Sequence, residues 1–176
     1  MVPKSIMKMK SAWTLLLLGL LMRVGCAAQQ PLRPATAAQL QTFNRLFQQG
    51  SQAALRRDVQ YLSDNLMPDF TVRASGLVMH RAQYLRYTAA LYKRMVKMNS
   101  TTFKIEKLGF RGKQAFAIAT NTHDFTARDR SGKIRRVKLI DHMNSFWILT
   151  SRGWLVQSAV QTSARLFVDG RKVTAR

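Results

Sequence analysis

The sequence predicts one α+β domain in which three N-terminal helices pack on an antiparallel sheet. Up to about residue 98, apolar residues recur every three or four positions, which is the period of an amphipathic helix. Beyond residue 100 the pattern changes to long β-prone runs separated by short turns, which is typical of antiparallel strands. Helices that precede the strands, instead of alternating with them, indicate the α+β class.

The first two helices are predicted between residues 36 and 68. Thr36 followed by Gln39 forms a capping box. Gly50 is expected to end the first helix, and Ser51 can cap the second. Pro68 should stop the second helix because proline cannot continue it. The apolar stripes are Leu40, Phe43, Leu46 and Phe47 in the first helix, then Leu55, Val59, Leu62 and Leu66 in the second.

A short strand and the third helix come next, followed by the main strands. The short strand is expected at residues 69–73, with a turn at Ser75 and Gly76, and the third helix at 81–98. Later strands are expected around Phe103 and Ile105 and at residues 115–125, 134–149 and 154–168, with hairpin turns at 130–133 and 151–153.

The N-terminus has the layout of a secretory signal peptide. Three lysines precede an apolar run at residues 12–22, and small residues follow at 25–28. We expect cleavage near Ala28 and export to the periplasm or the exterior. A lipoprotein anchored at Cys26 is the alternative, although Arg23 stands where such signals carry an apolar residue. The predicted organisation is a signal peptide at 1–28, a short tether at 29–35, the domain at 36–168 and a basic tail at 169–176.

The composition excludes several classes of function. Cys26 is the only cysteine, so the mature domain has no disulfide and no cysteine nucleophile. The chain has 29 basic and 8 acidic residues, a net charge of +21. Removing the leader's four basic residues leaves 25 against 8, or +17. This charge favours either an anionic partner or a solvated cationic surface. Nucleic acid is a poor fit because aromatic residues do not interleave with the basic clusters.

Four stretches of the mature chain match one known superfamily. Over roughly residues 36–168, the chain resembles the exported nuclear transport factor 2-like proteins of the SnoaL-like and ketosteroid isomerase-like branch. The stretches are the helix that ends at Gly50 with the phrase at 62–70, the Gly76 turn with 80–85, the lead-in at 104–113, and residues 146–154 with Trp147 and Trp154.

This resemblance implies a cone-shaped α+β barrel, in which a curved antiparallel sheet encloses an internal pocket. The pocket would hold a small apolar or anionic molecule, and related domains pair as homodimers through the sheet. Asn144 and Ser145 stand where relatives often carry Thr-Asp, so an activity that depends on that carboxylate is in doubt. The residues expected to line the pocket are Phe43, Phe47, Tyr84, Asp124 and Trp147.

The residue pairing implied by the predicted hairpin turn assigns polar residues to the two faces of the sheet. If Ser131 and Gly132 form a two-residue turn, the numbers of paired residues sum to about 263. Thr122 would then lie opposite Asp141. One face would hold Asp124, Asp141 and Trp147, and the other would hold His123, His142, Asn121 and Asn144. A slip of one residue would exchange these groups.

Asp141 and His142 are the candidate catalytic residues. A carboxylate in an apolar cone could move a proton next to a carbonyl, and histidine could do so near neutral pH. Asp124 is a further candidate acid, and Tyr84 or Tyr87 could donate to a developing oxyanion. The alternative interpretation is that the acids pair with surplus Arg and Lys. No metal is expected, because His123 and Asp124 point to opposite faces, and no cofactor motif is present.

Three functions remain open. The first is an exported small-ligand-binding domain, and the second is an isomerase, dehydratase or cyclase that uses an Asp or His acid–base group. The third is a basic interaction module that docks on an anionic envelope surface.

Overall fold

The computed structural model describes residues 31–173, which form three helices and eight strands. The predicted signal peptide at 1–28, including Cys26, lies outside the described residues, as do the first two residues of the predicted tether and the last three of the predicted basic tail. The elements are β1 (Arg33–Pro34), α1 (Ala37–Arg56), α2 (Val59–Asn65), β2 (Leu66–Ala74), β3 (Leu77–His80), α3 (Arg81–Arg94), β4 (Met95–Arg111), β5 (Gln114–Arg128), β6 (Ile134–Thr150), β7 (Gly153–Val168) and β8 (Arg171–Val173).

The strands form one curved, unclosed sheet with the order β1-β4-β5-β6-β7-β2-β3, and β8 pairs with the end of β7. The predicted α+β class with three helices on a curved sheet is therefore confirmed. The sheet is mixed instead of wholly antiparallel, because β2 and β7 run parallel. Strand β2 follows α2 directly and is not joined to β7 by a hairpin, so no tight turn dictates an antiparallel direction.

Helix α1 continues past Gly50 to Arg56, so the prediction that Gly50 ends it is wrong. Glycine weakens a helix interior by only about 1 kcal/mol relative to alanine, and Ala53, which is 1% exposed, packs the last turns into the core. The helix ends where Arg57 adopts a left-handed conformation with φ of 58°. Asp58 then caps α2 by accepting a hydrogen bond from the Tyr61 amide at 2.9 Å.

Helix α3 ends at Arg94, four residues earlier than the periodicity predicts. Met95 instead begins β4, where it is buried and pairs with Ala127 of β5. Its carbonyl accepts a hydrogen bond of 2.9 Å from the Arg57 guanidinium. Pairing with β5 therefore overrides the helical pattern of this segment.

The folded domain extends beyond both of its predicted ends, residues 36 and 168. Arg33 and Pro34, expected in a tether, pair with β4, and the Ala35 amide donates to the Leu108 carbonyl at 3.2 Å. This N-terminal segment lies very close to β4, because a Cβ on Gly109 would be 3.3 Å from the Leu32 Cβ. At the other end, residues predicted as a basic tail form β8 on the edge of β7.

The hairpin between β5 and β6 has a longer loop than the sequence suggests. The Asp129 amide donates to the Lys133 carbonyl, which leaves three residues in the loop, and Gly132 has φ of 83°. A three-residue loop that ends in a left-handed glycine is a common alternative to the two-residue turn. Paired residues therefore sum to 262, so Asn121 lies opposite Asp141 and Thr120 lies opposite His142.

Two apolar clusters hold the helices on the sheet. The first contains Phe43 of α1 with Phe110, Ala115 and Trp147 of the strands. The second is built from β2 and receives Tyr84 and Leu85 of α3. Within residues 31–173, no helix has the length and apolar character needed to cross a membrane.

Candidate functional site

The register divides β5 and β6 into two chemically different faces. Directly paired residues share a face, and side chains alternate along each strand. The helix-covered face carries Ala115, Ala117 and Ala119, each 1% exposed or less, and then becomes polar at Asn121, His123 and Asp141. The opposite face, called here the open face, carries Thr120, Asp124, His142 and the exposed Phe146.

Asp141 is the most deeply buried acid of the described residues, with 7% of its surface exposed. Its Oδ2 atom accepts a long hydrogen bond of 3.3 Å from the Gln161 Nε2 of β7. Its Oδ1 atom is buried and has no hydrogen-bond partner among residues 31–173. A buried acceptor without a partner is rare in native proteins and calls for an explanation.

His123 lies on the same face as Asp141. It is two residues beyond Asn121, the β5 residue that pairs with Asp141. Its Nδ1 is 2.8 Å from the Thr101 hydroxyl oxygen. Burial lowers the pKa of His123 below its ordinary value, and the negative charge of Asp141 opposes this in part. The imidazole is therefore neutral at pH 7 and can either accept or donate a hydrogen bond.

Tyr84 of α3 supplies a phenol to this polar group. Burial raises the pKa of Tyr84, a hydrogen bond with Thr88 lowers it, and the charge of Asp141 raises it again. The phenol is therefore protonated at neutral pH. Its ring packs on Phe70, with 5.4 Å between the ring centroids, and this contact ties α3 to β2. Tyr84 was predicted as a pocket residue, and the structure places it near Asp141.

The helix-covered face opens to solvent next to Asp141. Ala164, which pairs with Asp141 across the β6–β7 ladder, is exposed. Leu166, opposite Leu139, is 36% exposed. Asp141 therefore lies where the core gives way to an open end of the sheet.

His142, the second predicted catalytic residue, lies on the open face and not beside Asp141. Its Nδ1 is 3.0 Å from the Thr120 hydroxyl and 3.5 Å from the Glu106 Oε1. Thr120 also donates to Glu106. The side chains of His142 and Glu106 are 34% and 37% exposed, so this trio is a solvated polar network.

Asp124 also lies on the open face, where it is engaged in an ion pair. The Arg136 Nη2 lies 2.7 Å from its Oδ2, and the Asn99 amide donates to its Oδ1 at 2.9 Å. These hydrogen bonds, first from Arg136 and then from Asn99, lower the pKa of Asp124. For this residue, the alternative interpretation of an acid paired with surplus arginine describes the geometry.

The predicted pocket residues Phe43, Phe47 and Trp147 pack against one another. The ring centroids of Phe43 and Phe47 lie 5.3 Å and 5.8 Å from that of Trp147, and Phe43 is 0% exposed. Ser145, at the position where the resemblance suggests an acid, accepts a hydrogen bond of 2.9 Å from the Trp147 indole. These side chains fill the core at this end of the sheet.

Two concavities lie away from Asp141. One, of about 150 Å³, lies beside α1 and is lined by Phe43, Phe110 and Trp154 among others. The other, of about 470 Å³, lies on the open face and includes Asp124. Among residues 31–173, no group of three side chains of the metal-ligating types is close enough to hold an ion.

The combination of Asp141 with His123 and Gln161 was not predicted from the sequence. Two signals could have revealed it. Asp129 followed by Gly132 fits a three-residue loop, and that loop assigns His123 and Asp141 to one face. Gln161 would have required the irregularity in the β6–β7 pairing between His142 and Met143, which has no local sequence signature.

Comparison with solved structures identifies the fold. A conserved protein from Planctomyces limnophilus superposes with a TM-score of 0.62 at 18% identity, covering 71% of this chain and 95% of the other. A scytalone dehydratase candidate from Novosphingobium aromaticivorans superposes with a TM-score of 0.63 at 11% identity, covering 79% and 90%.

A third structure supplies the name of the fold. It is a nuclear transport factor 2-like protein of unknown function from Prochlorococcus, with a TM-score of 0.50 at 18% identity, covering 62% of this chain and 81% of the other. No profile of a known protein family matches the chain, and no curated protein matches it. Likeness at these identities shows the fold and leaves the function to the site.

Proposed function

We propose that this chain, which has the nuclear transport factor 2-like fold, is an exported small-ligand-binding domain whose site is centred on Asp141. The observation that carries the proposal is the buried Oδ1 of Asp141, which has no hydrogen-bond partner among the described residues. The export of the domain is proposed from the N-terminal leader.

The free energy of burial favours a ligand at this atom. A buried acceptor without a partner costs about 1–3 kcal/mol, and more when it is charged. A ligand that brings an O–H or N–H group to Oδ1 would recover this cost. The neighbouring open end at Ala164 and Leu166 offers a route for the ligand to enter.

The neighbouring groups restrict the chemistry of the ligand. His123 is neutral at pH 7, and Tyr84 keeps its phenolic proton. The walls on either side are apolar, since Met143, Val72 and Ala159 belong to the same cluster as Tyr84. The site therefore favours an apolar molecule that carries one hydrogen-bond donor for Asp141 and one acceptor for Tyr84.

The test compares two probes that differ only in a donor. We expect wild-type protein to bind 2-naphthol at least tenfold more tightly than 2-methoxynaphthalene, measured by isothermal titration calorimetry. A hydrogen bond to a charged group contributes about 1.5–3 kcal/mol, which corresponds to tenfold or more in Kd. Asp141→Leu should abolish this preference.

The control is His142→Gln, which changes a polar residue of the open face and should leave both affinities within twofold. Circular dichroism and a thermal melt establish that each variant is folded, and Asp141→Asn serves as a second variant with nearly unchanged shape. An equal preference for 2-naphthol in wild type and Asp141→Leu would refute the proposal.

Proton transfer at the same site is the second candidate function, and the position of Asp141 and His123 on one face of the sheet favours it. A carboxylate and a neutral imidazole on one face can accept a proton, and the Tyr84 phenol can stabilise a developing enolate. The probe is 2-tetralone in deuterated water, with deuterium incorporation followed by NMR. Exchange no faster with wild type than with Asp141→Leu would exclude this candidate and leave the binding proposal standing.

A further inference from the structure

The open face carries a groove that the proposed function does not use. Its volume is about 470 Å³, within the range of small-molecule sites, which is about 300–1,000 Å³. Ile140 and Phe167, both only partly buried, contribute its apolar surface. The charged residues of its lining are two cations, Arg136 and Lys138, and two acids, Asp124 and Asp169.

Strand register places a row of cations around this apolar surface. Lys138 of β6 pairs with Phe167 of β7, which pairs in turn with Lys172 of β8. Paired residues point to the same side of a sheet, so the two lysines flank the Phe167 ring. Arg165 is brought to the same side by its pairing with Ile140.

The acids of the groove are already neutralised. Asp124 lies 2.7 Å from the Arg136 guanidinium, and Asp169 lies 2.9 Å from that of Arg135. Lys138, Arg165 and Lys172 take part in none of the salt bridges among residues 31–173. All three are exposed. The charge of Lys138, which lies opposite Asp124 in the β5–β6 register, helps to lower the pKa of that acid. The groove therefore combines an apolar floor with three exposed cations that form no salt bridge.

We propose that this groove is a second ligand site, which binds a single-chain amphiphile with an anionic head. The alkyl chain lies along Ile140 and Phe167, and the phosphate or carboxylate head is held between Lys138 and Lys172. The apolar floor argues against a free inorganic anion as the ligand, and the row of cations argues against a neutral molecule. This site is separate from Asp141, which faces the opposite side of the sheet.

The first experiment establishes which ligand chemistry the groove takes. Isothermal titration calorimetry is performed with dodecyl phosphate below its critical micelle concentration, with inorganic phosphate and with dodecyl maltoside. We expect dodecyl phosphate to bind at least tenfold more tightly than either of the others. Equal affinity for inorganic phosphate would remove the role of the apolar floor, and equal affinity for the maltoside would remove the role of the lysines. Either result overturns the proposal.

The second experiment locates the site with matched variants. The double variant Lys138→Gln with Lys172→Gln should weaken dodecyl phosphate binding at least tenfold. The control, Lys93→Gln with Lys113→Gln, removes the same charge from exposed positions on α3 and in the β4–β5 turn and should stay within twofold. If both double variants weaken binding equally, net charge alone is responsible and the proposal fails.

Two further arms separate this site from other sources of binding. Asp141→Leu should bind dodecyl phosphate like wild type; loss of binding in that variant alone would move the ligand to the helix-covered site and overturn the groove. Vesicles of dioleoylphosphatidylglycerol test a membrane surface as the partner. Binding to vesicles that depends on Lys138 and Lys172, without binding of monomeric dodecyl phosphate, would also overturn the proposal.

Discussion

At the scale of single residues, the chemistry of this protein depends on which side chains share a face. Asp141 has a buried oxygen without a partner among residues 31–173, and its charge acts to raise the pKa values of His123 and Tyr84. Asp124, a similar carboxylate on the other face, is bound by Arg136. The two carboxylates therefore differ in their availability to a ligand. Asp124 is already bound by a guanidinium, whereas one oxygen of Asp141 has no partner among the described residues.

Burial of His123 should make stability depend on pH. Its pKa in the folded protein is below the ordinary value of 6.5, so the unfolded chain binds more protons just below pH 6.5. The stabilising contribution is therefore complete above about pH 6.5 and declines as the pH falls towards the folded pKa. We expect His123→Gln to flatten the fall in Tm between about pH 7 and 5, measured by differential scanning calorimetry.

The matched control for this measurement is His142→Gln, since His142 is partly exposed on the open face. Its Tm should follow the wild-type dependence on pH. Identical slopes for wild type and His123→Gln would show that His123 is not buried as a neutral group.

At the scale of elements, two glycines that look alike in the sequence have opposite roles. Gly50 lies inside α1, whereas Gly132 closes the β5–β6 loop with φ of 83°. A Cβ at either position would meet nothing within 4 Å. Backbone conformation is therefore the only difference that a substitution by alanine would test.

Alanine should stabilise the protein at one of these positions and destabilise it at the other. Gly50→Ala should raise the free energy of unfolding by about 0.5–1 kcal/mol, because alanine loses less conformational freedom in a helix. Gly132→Ala should lower it by about 1 kcal/mol or more, because an L-residue is strained in the left-handed region. Urea denaturation measures both, and a loss of stability in Gly50→Ala would contradict the continuous helix.

At the scale of the whole molecule, the charge is distributed so that few cations are compensated. The chain has 29 basic and 8 acidic residues, and three of those acids form the exposed ion pairs with Arg135 and Arg136. Such exposed pairs contribute little to stability. The surplus therefore acts on partners more than on the fold, and the groove beside Phe167 is where it meets an apolar surface.

The N-terminal leader gives a prediction for the mature protein. We expect intact mass spectrometry of the protein from its native host to show a chain that begins near Gln29, because residues 1–28 have the order of a signal peptide. The mature protein would then contain no cysteine. A diacylglyceryl group on Cys26 would instead show a lipoprotein, and an intact Met1 would contradict export by this route.

The sequence alone was sufficient for the class of the fold and for most of its elements. Periodicity separates helices from strands because each has its own repeat, and the Thr36–Gln39 capping box forms as expected, with the Thr36 amide donating to Gln39 Oε1 at 2.9 Å. The ends of elements were less accurate where pairing competed with propensity, as at Met95 and at Arg33–Pro34. Phe43 and Trp147 were predicted to line the ligand pocket; both pack in the core, and Phe43 also lines the small concavity beside α1.

Local pattern thus determined which segments are helices and which are strands, because these preferences depend on residues close in the chain. Tertiary structure decided which polar groups meet. The three-residue loop at 130–132 shifts the register by one position, which brings Asp141 to the face of His123 and places His142 on the other side. A shift of one residue exchanges the faces of a strand, so the composition of the candidate site depends on long-range pairing that a sequence pattern does not specify.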